Sequence, residues 1–178
     1  MSLFLITAFS NNFVIGHNNT LPWNYKEDLL YFKNKTDNSI CIMGYNTYLS
    51  LKKPLRGRIN IVINKNIHGV VIMDGFYHIS SLEKSINWSK TNYSSKDIYI
   101  IGGSKIYEES LKNYLFDKIY ITHIYKDFSF KDSDSNLTIY FPFHLLENNY
   151  IKNQFYQSIK FPELEYQEWI PKLYYELD

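Results

Sequence analysis

The chain is 178 residues long, 45% apolar and 21% charged, with a formal net charge of +1. That composition describes one domain, residues 1–178, long enough to bury about 70% of its unfolded surface in a single core. So balanced a charge gives no basic field for a nucleic-acid backbone, and no run of about five or six like charges forms a polyanion-binding tail. The opening residues, MSLFLITAFSNN, carry no basic leader or small-residue cleavage site, and no apolar run approaches the roughly 18–20 residues of a membrane span. A soluble, cytoplasmic chain with neither membrane nor nucleic-acid partners is expected.

Leu3–Phe9 reads as a buried strand. Ser10–Trp23 is a Gly- and Asn-rich loop with Gly16, two Asn pairs and a Leu21-Pro22-Trp23 exit, where Pro22 keeps Leu21 out of helical conformation; a mobile, ligand-covering loop is the natural reading. Tyr25, Leu29 and Phe32 recur at i, i+4, i+7 and predict a helix over Tyr25–Lys35, with Asn24 as its cap. Asp28 shares a face with Phe32. A carboxylate on an apolar, aromatic face asks for a cationic or proton-hungry partner; the competing reading is a solvated acid favoured by a helix N-terminus.

Ile40–Met43 follows as a strand, and Cys41 within it, the only cysteine, reads as buried rather than activated. Further strands are expected at Ile59–Ile63, Val70–Met73, Ile98–Ile101 and Lys118–Ile124, with helices at Asn46–Leu51, Ser81–Ser89 and Lys105–Tyr114 between them. Such alternation predicts an α/β fold with a mixed, mostly parallel sheet covered by helices on both faces. Lys126–Thr138 reads as a long surface connection. The last third predicts an antiparallel hairpin, Gln154–Lys160 and Lys172–Leu177, closing one sheet edge.

Ligands of open α/β sheets bind at the carboxyl ends of strands. There Ile42-Met43-Gly44 leads into Tyr45-Asn46-Thr47, and Ile100-Ile101-Gly102-Gly103 into Ser104-Lys105. Both place backbone N–H groups at a helix start where an anion such as a pyrophosphate fits, although no G-x-G-x-x-G is present and a Gly-Gly pair is often only a tight turn. Arg58, at the base of the strand after Gly57, suits carboxylate capture or is a solvated turn arginine. The histidines His17, His68, His78, His123 and His144 have no metal-ligand spacing, and His123 reads as structural. Tyr114, Tyr120 and Tyr125 read as sheet and core aromatics.

Taken together, Ile15-Gly16, Leu21-Pro22-Trp23, Asp28-Leu29, Phe32-Lys33, Thr36, Ile42-Met43-Gly44, Thr47, Pro54-Leu55, Gly57-Arg58, Ile101-Gly102-Gly103, Ile106-Tyr107 and Ile121-Thr122 stand in the order and spacing of dihydrofolate reductases. Positions 3 to 142 resemble that family. The resemblance implies NADPH-dependent reduction of 7,8-dihydrofolate to 5,6,7,8-tetrahydrofolate on a sheet of about eight strands, serving thymidylate and one-carbon metabolism. It makes Asp28 the ionisable group at the pterin, assisting N5 protonation as hydride reaches C6. Thr122 anchors Asp28, Leu21 and Trp23 close over the nicotinamide, and Tyr107 lies near the hydride path.

For the substrate, the resemblance implies Ile6, Thr7, Ala8, Leu29, Phe32, Leu51, Leu55 and Ile101 around the ring systems, with Arg58 on the glutamate α-carboxylate and Lys33 nearby. For the cofactor it implies Ala8, Ile15, Gly16 and Asn19 from the first loop; Gly44, Tyr45, Asn46 and Thr47; Ile63, Asn64 and Lys65; and Ile101 through Tyr107, comprising Ile101, Gly102, Gly103, Ser104, Lys105, Ile106 and Tyr107. Antifolates become expected ligands and a monomer the expected state. Tyr45 replaces a basic residue of many relatives and Ser104 a third glycine, leaving Lys65 and Lys105 as point charges for phosphate. Two other readings on the same fold are a non-catalytic folate- or nucleotide-binding protein and a reductase of flavin precursors; Asp28 with Arg58 fits a pterin head and a glutamate tail better.

Overall fold

A computed structural model of the chain describes residues 1–131 and 137–174. Its layering follows from the alternation of the strand β1 (Leu3–Ser10). Leu5 and Phe9 point to one face and join Ile40, Ile42, Ile61, Ile98 and Ile100 in the main core; Phe4 and Ile6 point to the other, against Tyr31, Phe32, Tyr99 and Tyr120. Both faces are apolar because both are covered.

After β1 come β2 (Val14–His17), α1 (Lys26–Thr36), β3 (Ile40–Gly44), α2 (Tyr45–Ser50), β4 (Ile59–Ile63), β5 (Val70–Met73), β6 (Phe76–Ile79) and α3 (Leu82–Asn92). Then follow β7 (Ile98–Ile100), α4 (Ser104–Asn113), β8 (Lys118–Ile124), β9 (Thr138–Tyr140), α5 (Phe143–Asn149), β10 (Tyr150–Gln157) and β11 (Leu164–Pro171). Nine strands form one sheet in the order β10-β11-β8-β1-β7-β3-β4-β6-β5, and β2 pairs with β9 in a separate ribbon. The six strands from β8 to β6 run parallel, and β5, β11 and β10 add antiparallel pairings at the two edges. The start of β1 is stitched to distant chain: the Ser2 and Leu3 N–H groups donate to the Asp97 and Asp117 carboxylates at 2.7 and 2.8 Å.

Helices α3, α4 and α5 pack on the Leu5 face through Leu82, Ile86, Ile106, Leu111 and Leu146. On the Ile6 face lie α1, through Tyr31 and Phe32, and α2, through Tyr48 against Met43 and Val62. Each fully buried Ile or Leu contributes about 1.5–3 kcal/mol. The serines inside α3 are buried without penalty, since Ser85 and Ser89 donate to the carbonyls of Ser81 and Ser85 at 2.7 Å each. Cys41 is buried as expected, and burial pushes its thiol up to about 11. Among the described residues no helix is long and apolar enough to cross a membrane.

The α/β class, the mixed sheet and the closing hairpin agree with expectation, but several elements do not. One short strand, Phe76–Ile79, was not foreseen; it pairs in parallel with β4 and brings the sheet of about eight strands to nine. The hairpin's second strand is Leu164–Pro171; Lys172–Tyr174 is a single 3-10 turn, and the remainder of the expected strand lies outside the described residues. The polar residues Glu165 and Gln167 of β11 are buried: Gln167 donates to Glu165 at 2.7 Å and Lys152 pairs with Glu165 at 3.2 Å. Tyr25, not Asn24, stands at the N-cap of α1, without a side-chain cap. Part of the expected Lys126–Thr138 connection falls outside the described residues; near its start Asn12 clamps Phe128, donating to its carbonyl at 2.8 Å and accepting its N–H at 3.2 Å.

Candidate active site

The carboxyl ends of β1, β3, β4 and β7 and the strand β8 open into one cavity of about 1180 Å³, walled by α1 on one side and the β2–β9 ribbon on another. A cavity for one drug-sized ligand has about 300–1,000 Å³, so this one lies above the upper end of that range. The apolar stripe of α1 faces it: Leu29 is 52% exposed and, with Phe32 and Tyr31, lines the cavity, while only Asp28 and Thr36 of the helix are buried. Amphipathicity in α1 thus serves a ligand wall more than the core.

Asp28 is 6% exposed, and desolvation raises its pKa above the ordinary carboxylate value, opposed by the Thr122 hydroxyl and the Trp23 indole. Neither group closes a hydrogen bond of good geometry on the carboxylate, and Trp23 Nε1 has no partner at all. Asp28 therefore keeps acceptor capacity for an N–H-bearing ring in the cavity. Thr122 reaches it from β8, where it pairs with Ala8 of β1. Behind them Trp23 packs on Ala8, Ile124, Leu164 and Phe128.

The opposite end is built from backbone. Gly44 N–H donates to the Gly102 carbonyl at 2.7 Å, so the ends of β3 and β7 touch. A Cβ on Gly44 would lie 2.9 Å from Ile106, and one on Gly102, whose φ is +107°, 3.0 Å from the Tyr107 ring; only glycine tolerates either place. Gly103 caps α4 without a side-chain bond, which leaves the first-turn amides of Ser104 and Lys105, both lining the cavity, without a side-chain cap. Lys65 and Lys105, both exposed, supply cations there. This amide cradle with flanking cations fits a dinucleotide's phosphates. Tyr107 is fixed beneath it, its hydroxyl donating to the Ile6 carbonyl at 2.8 Å.

Of the expected site residues, the cavity brings together Ile6, Thr7, Ala8, Ile15, Gly16, Asn19, Leu21, Asp28, Leu29, Phe32, Leu51, Leu55 and Thr122. Gly44–Thr47, Ile63–Lys65 and Ile101–Tyr107 complete the wall. Three expected residues stand off it. Trp23 is packed behind Asp28, Lys33 faces solvent, and Arg58 lies beyond the rim. Arg58 Nη1 donates to Thr36 Oγ1 at 3.1 Å, while its buried Nε has no partner. The turn before it is braced by Asn60, which accepts the Leu55 N–H and donates to the Leu55 and Arg58 carbonyls at 3.0–3.1 Å.

Lining residues that the sequence reading omitted include Thr20, Tyr31, Ser50, Asn66, Glu108, Glu109 and Thr138–Tyr140. Tyr31 had a signal, standing i+3 from Asp28 on one helix face. Thr138–Tyr140 had none, since their place comes from pairing with β2. Ser104 reaches that ribbon by donating to the Tyr140 carbonyl at 2.7 Å.

A buried carboxylate at one end of an apolar cleft, with bare amides and lysines at the other, defines an α/β enzyme site shaped for a small ring-bearing substrate beside a nucleotide. Residues 2–138 match the family model described as dihydrofolate reductase. The dihydrofolate reductase of Buchnera aphidicola subsp. Acyrthosiphon pisum is 43% identical over 125 residues, covering 70% of this chain and 73% of the relative. That of Buchnera aphidicola subsp. Baizongia pistaciae is 35% identical over 167 residues, covering 90% and 96%. The fold matches a dihydrofolate reductase from Enterococcus faecalis, solved with NADP(H) and RAB-propyl, at a TM-score of 0.80, 23% identity and 96% coverage of both chains. The chain belongs to the dihydrofolate reductase family.

Proposed function

We propose that the protein reduces 7,8-dihydrofolate to 5,6,7,8-tetrahydrofolate with NADPH, and that Asp28 is its catalytic carboxylate. The observation that supports this most is the placement of Asp28: buried, short of hydrogen-bond donors, and at the apolar end of a cavity whose other end is an amide cradle. NADPH, when bound, supplies the hydride delivered to C6. Asp28 accepts hydrogen bonds from the pterin 2-amino group and N3, and its charge, in a water-poor pocket, raises the basicity of N5. Thr122 and Trp23 partly offset the rise that burial gives the Asp28 pKa. Leu29 and Phe32 hold the ring system against the sheet, and Gly102 and Gly103 let the cofactor approach backbone closely.

The experiment is spectrophotometric. NADPH oxidation is expected only when dihydrofolate is present, and Asp28→Asn is expected to lower turnover by about a hundredfold or more near neutral pH, with a smaller loss in acid where N5 protonates unaided. An absence of NADPH oxidation with dihydrofolate sinks the reading, and an equal loss at every pH removes Asp28 from proton delivery.

A further inference from the structure

His78 sits in β6 between Val62 of β4 and Val71 of β5 and has no solvent exposure. Its Nε2 meets no partner, while its Nδ1 stands 3.4 Å from Nδ2 of Asn64. Asn64 follows β4 and lines the cavity with Lys65 and Asn66. The carboxamide is oriented from its other side: Oδ1 accepts the Asn66 backbone N–H at 3.2 Å, which turns the NH2 group toward His78. An amide NH2 only donates, so Nδ1 is the unprotonated acceptor and the ring proton sits on Nε2. Tyr48 of α2 stands at 87° to the imidazole with centroids 5.1 Å apart and confines it from a third side.

We propose that His78 is a positioning residue for the cofactor end of the cavity: it accepts one hydrogen of the Asn64 carboxamide and so fixes the other as a donor at the wall beside Lys65. The inference rests on the NADPH reading of that end. A fixed N–H suits a phosphate or ribose oxygen, whereas a flipped amide presents its carbonyl oxygen to an anion and repels it. Packing alone gives no reason for the choice. A buried Nε2–H without an acceptor opposes folding, and a phenylalanine beside Tyr48 and Phe76 would fill the space without that cost.

Two substitutions separate the roles. His78→Phe removes the acceptor and keeps a ring; His78→Asn keeps an acceptor oxygen close to where Nδ1 stands. His78→Phe is expected to melt no lower than the parent, yet to raise Kd and KM for NADPH about fivefold, the worth of one neutral hydrogen bond, with KM for dihydrofolate unchanged. His78→Asn is expected to bind NADPH within about twofold of the parent. Should the phenyl ring not be accommodated, His78→Leu gives the same readout. NADPH binding unchanged in the apolar variant, equal weakening in both variants, or a parallel rise in KM for dihydrofolate would overturn the inference. A parent protein that binds no NADPH would overturn the cofactor reading itself, and this inference with it.

Discussion

Arg58 was expected on the glutamate carboxylate of the substrate, and the structure sets it off the cavity wall. Its guanidinium does not line the cavity; it stands three residues after Leu55, which does, anchored to Thr36 with Nε left open. That suits a carboxylate at the end of a substrate tail leaving the cavity past Leu55. Arg58→Leu is expected to raise KM for dihydrofolate roughly ten- to a hundredfold, the worth of about 1.5–3 kcal/mol for a charged hydrogen bond, with KM for NADPH within about twofold. Steady-state kinetics with each substrate varied in turn checks it, and equal effects on both would remove the clamp. Asp28 was legible because a carboxylate interrupts a 3.6-residue apolar stripe. His78 was not: a lone histidine in a four-residue strand looks like any core histidine until Asn64 is brought to it by the turn after β4.

Elements were legible where the pattern was long and local chemistry agreed with it. The helix α3 is of that kind: Ser81 caps it by accepting the Lys84 N–H at 3.2 Å, and Leu82 and Ile86 carry its buried face. Ser81→Ala is expected to cost about 1 kcal/mol, a fall in Tm of about 2–4 °C for a chain of this size, with kcat and both KM values unchanged because α3 contributes nothing to the cavity wall. Thermal melts and steady-state assays together check it; altered kinetics would show that α3 communicates with the site. Short elements escaped for a physical reason. The strands β2, β6 and β9 lack the aliphatic runs that marked the equally short β5 and β7, and exist because neighbours supply hydrogen bonds. The helix α5, of seven residues, starts at Pro142 without a side-chain cap, so no start signal marked it.

For the whole molecule, the price of the site appears in its response to pH. Folded Asp28 holds its proton to higher pH than it does in the unfolded chain, because burial penalises the charged form. Between the ordinary carboxylate value and the raised one the native state binds more protons, so this group's contribution to stability is present below that window and is lost as pH rises through it. Asp28→Asn is therefore expected to melt above the parent at about pH 7, the gap closing toward about pH 4. Melting curves across that range check it, and a lower Tm at neutral pH would show that the ionised carboxylate stabilises the fold. The variant that loses turnover would thus gain stability, as expected where function holds a charge in an unfavourable place. The α/β architecture itself was legible, since strands separated by helices must run parallel and bury both faces. What the pattern left open was how the edges close and how the ribbon β2–β9 folds over the cavity, both decided by contacts remote in sequence.

The position of β1 inside the sheet, between β8 and β7, has a consequence for biosynthesis. Its flanking hydrogen bonds to Asp97 and Asp117 span 95 and 114 residues. At about 5–20 residues per second, a nascent chain carries Leu3–Ser10 for roughly 5–20 s before β7 emerges to cover it. A strand that ends up paired on both edges thus waits for both partners during translation. A ribosome-bound chaperone that shields apolar segments has a clear task here at Leu3–Ser10.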